Sequence, residues 1–144
     1  MYKTIVLAYD GSSSGQQALL DCKDLAQWND AVLWLVAVMP YNVNLITMEG
    51  GFPVPDLDQR NKTEYQKILA DGLQRLEQAG YAATGELLAG EAVQEITRFA
   101  RKVNADLIVV GHKHVEGWAR WWSGSISGAL VEHSPCSVFC VVTQ

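Results

Sequence analysis

Residues 111–127, "GHKHVEGWARWWSGSIS", gather His112, Lys113, His114 and Arg120 on a chain whose formal charge is −5. The stretch ends in Gly124, Ser125, Ile126 and Ser127. A glycine lets backbone approach a ligand closely, and the N–H groups at a helix start favour phosphate. The helix dipole contributes about 0.3–1 kcal/mol there, and each charge-assisted hydrogen bond about 1.5–3 kcal/mol. Gly-Ser at a helix start is also ordinary capping, so the stretch either holds an anion or is a packed connection. Trp118, Trp121 and Trp122 can stack on a base or shield phosphates, but plain apolar packing weighs more.

A second stretch, "YDGSSSG" at residues 9–15, has the same ambiguity. Asp10 ends an apolar run and Ser12 to Ser14 open a helical one. Such residues cap orphan N–H groups, worth ~1 kcal/mol. Equally, Asp10 can lie over a ribose or a bound Mg²⁺.

Other chemistries find less support. Neither GxxxxGK[ST] nor GxGxxG after a strand occurs. Serine, histidine and aspartate are present without a GxSxG elbow. His112, His114 and His133 make a poor metal set, and no metal centre is expected. The three cysteines, Cys22, Cys136 and Cys140, are odd in number and lack framework spacing. They read as core residues of a protein in a reducing, cytoplasmic compartment.

The elements that must position these loops follow from periodicity. "TIVLAYD", "AVLWLVAVM", "DLIVVG" and "CSVFCVV" are apolar on both faces, as parallel strands buried on both sides must be. "ATGELLAG" is a weaker strand, and Gly85 predicts an irregular edge. Helical spacing runs from Gln16, again from Tyr65 to Leu76 with a stop at Gly80, and again from Val93 to Val103. "SGALVEH" is a short last helix closed by Pro135. Between the second strand and second helix, "PYNVNLITMEGGFPVPDLD" predicts a long loop over 40–58. Such loops serve as lids or stay partly disordered.

This β-α alternation over 144 residues predicts one domain, residues 1–144. It is a five-stranded doubly wound parallel sheet with helices on both faces. Ligands of such sheets bind beyond the carboxyl ends of the strands, where the order reverses. The acidic balance gives no support to nucleic-acid or anionic-membrane binding. The longest apolar run is too short to span a bilayer.

Taken in order, "DGS", "GEAVQEI", "DLIVVG" and "SGSIS…HSPCSVFCVV" resemble the universal stress protein family from Tyr2 to Val142. Nucleotide-binding members carry glycine, two residues, glycine, nine residues, then Gly-Ser or Gly-Thr. Gly111 and Gly124-Ser125 stand at that separation, and His114 replaces the middle glycine. The resemblance implies a flavodoxin-like homodimer that binds ATP, ADP or AMP. By position, Asp10 would lie near the ribose or Mg²⁺, with Ala8 beside it and Val38 against adenine. Val110 and Gly111 would line the ribose and α-phosphate region. Gly124, Ser125 and Ile126 would bind phosphates, with the His114 imidazole alongside. The expected function is a cytoplasmic, adenine-nucleotide-binding regulatory module. Any ATP hydrolysis would be slow, because no general base is evident. The final strand, an apolar edge that needs cover, would join two copies. The rival expectation is a nucleotide-free homodimeric interaction protein of the same fold.

Overall fold

The computed structural model describes residues 2–12, 15–21, 30–40, 55–113 and 125–143. Its strands are β1 (Thr4–Ala8), β2 (Val32–Met39), β3 (Ala83–Ala89), β4 (Leu107–Lys113) and β5 (Ser137–Thr143). The described part of helix α1 covers residues 15–21. It is followed by α2 (Pro55–Gln78), α3 (Ala92–Lys102) and α4 (Ser125–His133).

The five strands form one sheet in the order β3-β2-β1-β4-β5, with every pairing parallel. Because side chains alternate across a strand, residue parity divides the core. Ile5, Leu7, Leu33, Leu35, Leu107, Val109 and Val141 point to one face, where Ala18, Leu19 and Leu76 cover them. Val6, Val36, Ile108 and Val110 point to the other, under Ile96, Phe99, Ala100 and Leu130. So α1 and α2 sheathe one side, and α3 and α4 the other. This is the doubly wound α/β architecture expected from the alternation. No described helix is both long and apolar enough to cross a membrane.

Two expectations need correction. Helix α2 begins at Pro55, inside the stretch predicted as loop to Asp58, and residues 41–54 lie outside the described residues. Proline suits the first position of a helix, because its fixed φ matches and its missing N–H would have no partner there. β3 is an edge strand, but it is regular: it pairs in unbroken register from Leu33↔Ala83 to Met39↔Ala89. Gly85 instead permits close helix packing, since a Cβ there would lie 2.7 Å from Leu73 Cδ1. The predicted stop at Gly80 holds. With φ +92° it takes the left-handed turn that ends α2, and Tyr81 N–H returns to the Leu76 carbonyl at 2.9 Å.

Candidate functional site

The strand order reverses between β1 and β4. The chain runs outward from β1 to β3, then crosses back to lay β4 on β1's other side. The helices that follow β1 and β4, α1 and α4, lie on opposite faces of the sheet, and such a switch point is where open α/β sheets hold ligands in a crevice.

On the β1 side, Tyr9 N–H donates to the Val36 carbonyl at 2.9 Å and extends the ladder to the strand's end. Gly11 then takes φ +80°, which turns the chain toward α1. Asp10 Oδ1 accepts the Ser12 N–H at 2.9 Å and also the Ser12 hydroxyl. That hydroxyl in turn accepts the Gly15 N–H at 3.1 Å, and the Ser12 carbonyl accepts the Gln16 N–H at 2.9 Å. Ser12 is thus the residue that caps α1, and Asp10 orients it. Sequence left capping and ligand contact as alternatives for Asp10. The carboxylate serves the cap indirectly while its side chain stays exposed at the mouth of the crevice.

Beneath this turn lies a polar cluster that sequence reasoning missed. Tyr9 is 3% exposed, and its ring sits against two helix glycines. A Cβ on Gly15 would lie 3.2 Å from Tyr9 Cδ2, and one on Gly72 would lie 2.7 Å from Tyr9 Cδ1. The Tyr9 hydroxyl donates to Asp71 Oδ2 at 2.7 Å, and Arg75 Nε donates to the same oxygen at 2.9 Å. Burial, then the bond to Asp71 and its charge, push the Tyr9 phenol up to about 12. The Tyr9 hydroxyl and Arg75 hold the Asp71 carboxyl below its ordinary range. The Gln16 side chain works weakly against the rise at Tyr9, and its Nε2 reaches the Gly11 carbonyl at 3.4 Å. Two signals pointed here: a phenol at the end of a buried strand needs a polar partner, and Asp71 interrupts the apolar stripe of Ile68, Leu69, Leu73 and Leu76.

Ala8 and Val110 are register partners across the β1–β4 seam, on the α3–α4 face. Val38, near the end of β2, packs on the same face and pairs with Leu88. Val110 is buried and Gly111 half-buried, and β4 continues past Gly111 to Lys113. These residues therefore form an apolar floor along one face of the crevice. Ser125 and Ile126 open α4, with Ile126 exposed. Its first turn is fastened to the sheet by Ser127, whose hydroxyl hydrogen-bonds the Cys140 thiol, and Cys140 is the β5 partner of Val110. Burial pushes the Cys140 thiol up, and the Ser127 bond works against that shift. Cys136 and Cys140 are free and half-buried against the α3–α4 core, and Cys22 lies outside the described residues.

His114 and Gly124 lie outside the described residues, as do Trp118, Trp121 and Trp122 and most of the long loop. Among the described residues, no three His, Cys, Asp or Glu side chains converge to hold a metal ion. His133 is exposed beside Glu132 at 4.0 Å. Among the described residues, the site thus combines an exposed carboxylate, an apolar floor and the start of α4.

Comparison with known proteins agrees with this geometry. The family model described as "Universal stress protein family" matches residues 1–142. A universal stress protein of Methanocaldococcus jannaschii is 29% identical over 142 residues, covering 98% of this chain and 82% of its own. The crystal structure of a universal stress protein family member from Burkholderia pseudomallei superposes with a TM-score of 0.74 at 25% identity, covering 97% of this chain and 96% of that one. A universal stress protein crystallised in complex with cAMP superposes with a TM-score of 0.68, also at 25% identity, with the same coverage of 97% and 96%. With its whole fold and nearly its whole length matched, the chain belongs to the universal stress protein family.

Proposed function

We propose that this protein binds an adenine nucleotide, ATP, ADP or AMP, in the crevice between β1 and β4, and acts as a cytoplasmic regulatory module. The observation that carries this reading is the reversal of strand order at β1/β4. It brings Asp10, the Ala8–Val110 floor and the start of α4 to one end of the sheet. The similarity to a universal stress protein in complex with cAMP supports the same ligand class. In this reading Val38 and Val110 face the base and ribose. Asp10 takes the ribose hydroxyls or a hydrated Mg²⁺, and Gly111, Gly124, Ser125 and Ile126 serve the phosphates. A single exposed carboxylate suits Mg²⁺, which keeps several waters and takes its other ligands from phosphate. His114, in the place of the family's middle glycine, crowds the phosphates and weakens binding without abolishing it.

Two chains pair through β5, the sheet edge, which exposes Phe139 at 43% and Val142 at 57%. That same edge, together with the His114 replacement, favours the second reading, a nucleotide-free interaction protein.

The deciding experiment is acid extraction of purified protein, followed by calorimetric titration with ATP and AMP. Released nucleotide, or saturable heat that Asp10→Ala diminishes, is expected. No released nucleotide and no heat from wild type or His114→Gly would leave only the interaction module.

A further inference from the structure

We infer that Tyr9, Asp71 and Gln16 form a clasp that positions the Asp10 turn from beneath, with α2 as its anchor. The clasp has two hydrogen-bonded halves. On one side Arg75 holds Asp71, and Asp71 accepts the Tyr9 hydroxyl at 2.7 Å; on the other, Gln16 Nε2 reaches the Gly11 carbonyl at 3.4 Å. Tyr9 and Gly11 flank Asp10, so the two halves hold the backbone of the turn from both sides.

Packing reinforces this path. A Cβ on Gly11 would meet Ile68 of α2 at 3.4 Å, and Gly72 of the same helix lets the Tyr9 ring lie against its backbone. A turn whose central glycine has φ +80° has few local restraints of its own. The Ser12 bonds fix the Asp10 carboxylate relative to α1, and the clasp fixes α1 and the turn relative to the sheet and α2. Tyr9 is therefore a positioning residue acting through Asp10. Its consequence for ligand affinity rests on the nucleotide-binding reading; its effect on the turn does not.

Two measurements on Tyr9→Phe test this, since phenylalanine keeps the ring between the glycines and removes only the hydroxyl. The first is amide hydrogen exchange in ligand-free protein. Exchange at Ser12 and Gly15, whose N–H groups bond Asp10 and Ser12, is expected to rise roughly tenfold, the effect of about one lost net hydrogen bond. Gln16→Met, which cuts the link to Gly11 from the other side, is expected to do the same. Leu33→Ala, a core cavity at the opposite end of the sheet, is expected to leave these two amides unchanged.

The second is AMP titration. Tyr9→Phe is expected to weaken binding about tenfold in the wild-type background and to have no further effect once Asp10 is alanine. Unchanged exchange at Ser12 and Gly15 overturns the clasp, as do equal Tyr9→Phe losses with and without Asp10. If wild type binds no AMP, the nucleotide reading falls, and the exchange rates alone decide the clasp.

Discussion

A phenol enclosed between two helices and bonded to a carboxylate resists ionisation, and that resistance is linked to folding. Tyr9 is pushed up to about 12, while in the unfolded chain it titrates at its ordinary value. Below that ordinary value it is neutral in both states, and its interactions are fully present. Between the two values only the unfolded chain loses the proton, so stability falls as pH rises through this window and is lost above the folded value. The expected outcome is that the stability advantage of wild type over Tyr9→Phe shrinks from about pH 9.5 to pH 11.5. Urea unfolding of both proteins across that range measures it. An advantage that stays constant would mean that the hydroxyl is not held as described. Asp10 differs from Tyr9 in its exposure. It can lose its carboxylate at a cost of about 1 kcal/mol through the weakened Ser12 cap, while ligand affinity suffers more.

Among the elements, α2 is the one whose sequence carries most positional constraint. Gly72 sits where a Cβ would come within 2.7 Å of both Leu35 Cδ2 and Tyr9 Cδ1, and both neighbours are buried. Gly72→Ala is expected to destabilise by about 1–3 kcal/mol through overpacking, despite alanine's better helix propensity. Gly80→Ala meets open space, and only the left-handed φ of +92° opposes it, so about 1 kcal/mol is expected. Chemical denaturation should rank them in that order.

The helix's amino end was not legible in the sequence. Prolines and glycines ahead of it look like loop punctuation throughout, and the apolar stripe that marks the helix begins only at Tyr65. Gly85 misled for a related reason: a missing side chain signals either a bend or a close neighbour, and only Leu73 across the layer decides which. The strands were legible because β1, β2 and β4 are buried on both faces and leave no polar alternation to confuse them. The switch point between β1 and β4 was legible from the alternation of strands and helices. The clasp was not, because Tyr9 and Asp71 lie 62 positions apart and nothing local links them.

For the whole molecule, the β5 edge, which no other described strand covers, is the feature with the largest consequence for assembly. β5 has β4 on one side, and its exposed Phe139 and Val142 lie on opposite faces of the sheet. A parallel edge of this kind invites a further strand. If two copies meet here, Phe139→Glu combined with Val142→Lys yields monomers with the native circular dichroism spectrum. Sedimentation velocity at micromolar concentration would then show wild type at twice the monomer mass. A wild type that sediments as monomer would remove the pairing.

The sheet order also sets when the crevice comes into existence. β1, β2 and β3 pair with strands near them in sequence, whereas β4 joins β1 across most of the chain; Lys3 and Asp106, which bond where the two strands begin, are 103 positions apart. Closing so long a loop is entropically costly, and such contacts tend to form late in folding. On that order, one wall of the switch point would belong to an early half and the other to a late half. A partly folded chain that has assembled only β1 to β3 therefore has no crevice at all. A ligand that needs both walls can bind only after the two halves have docked, so occupancy would report completed folding, and the ligand would hold the seam between the halves closed.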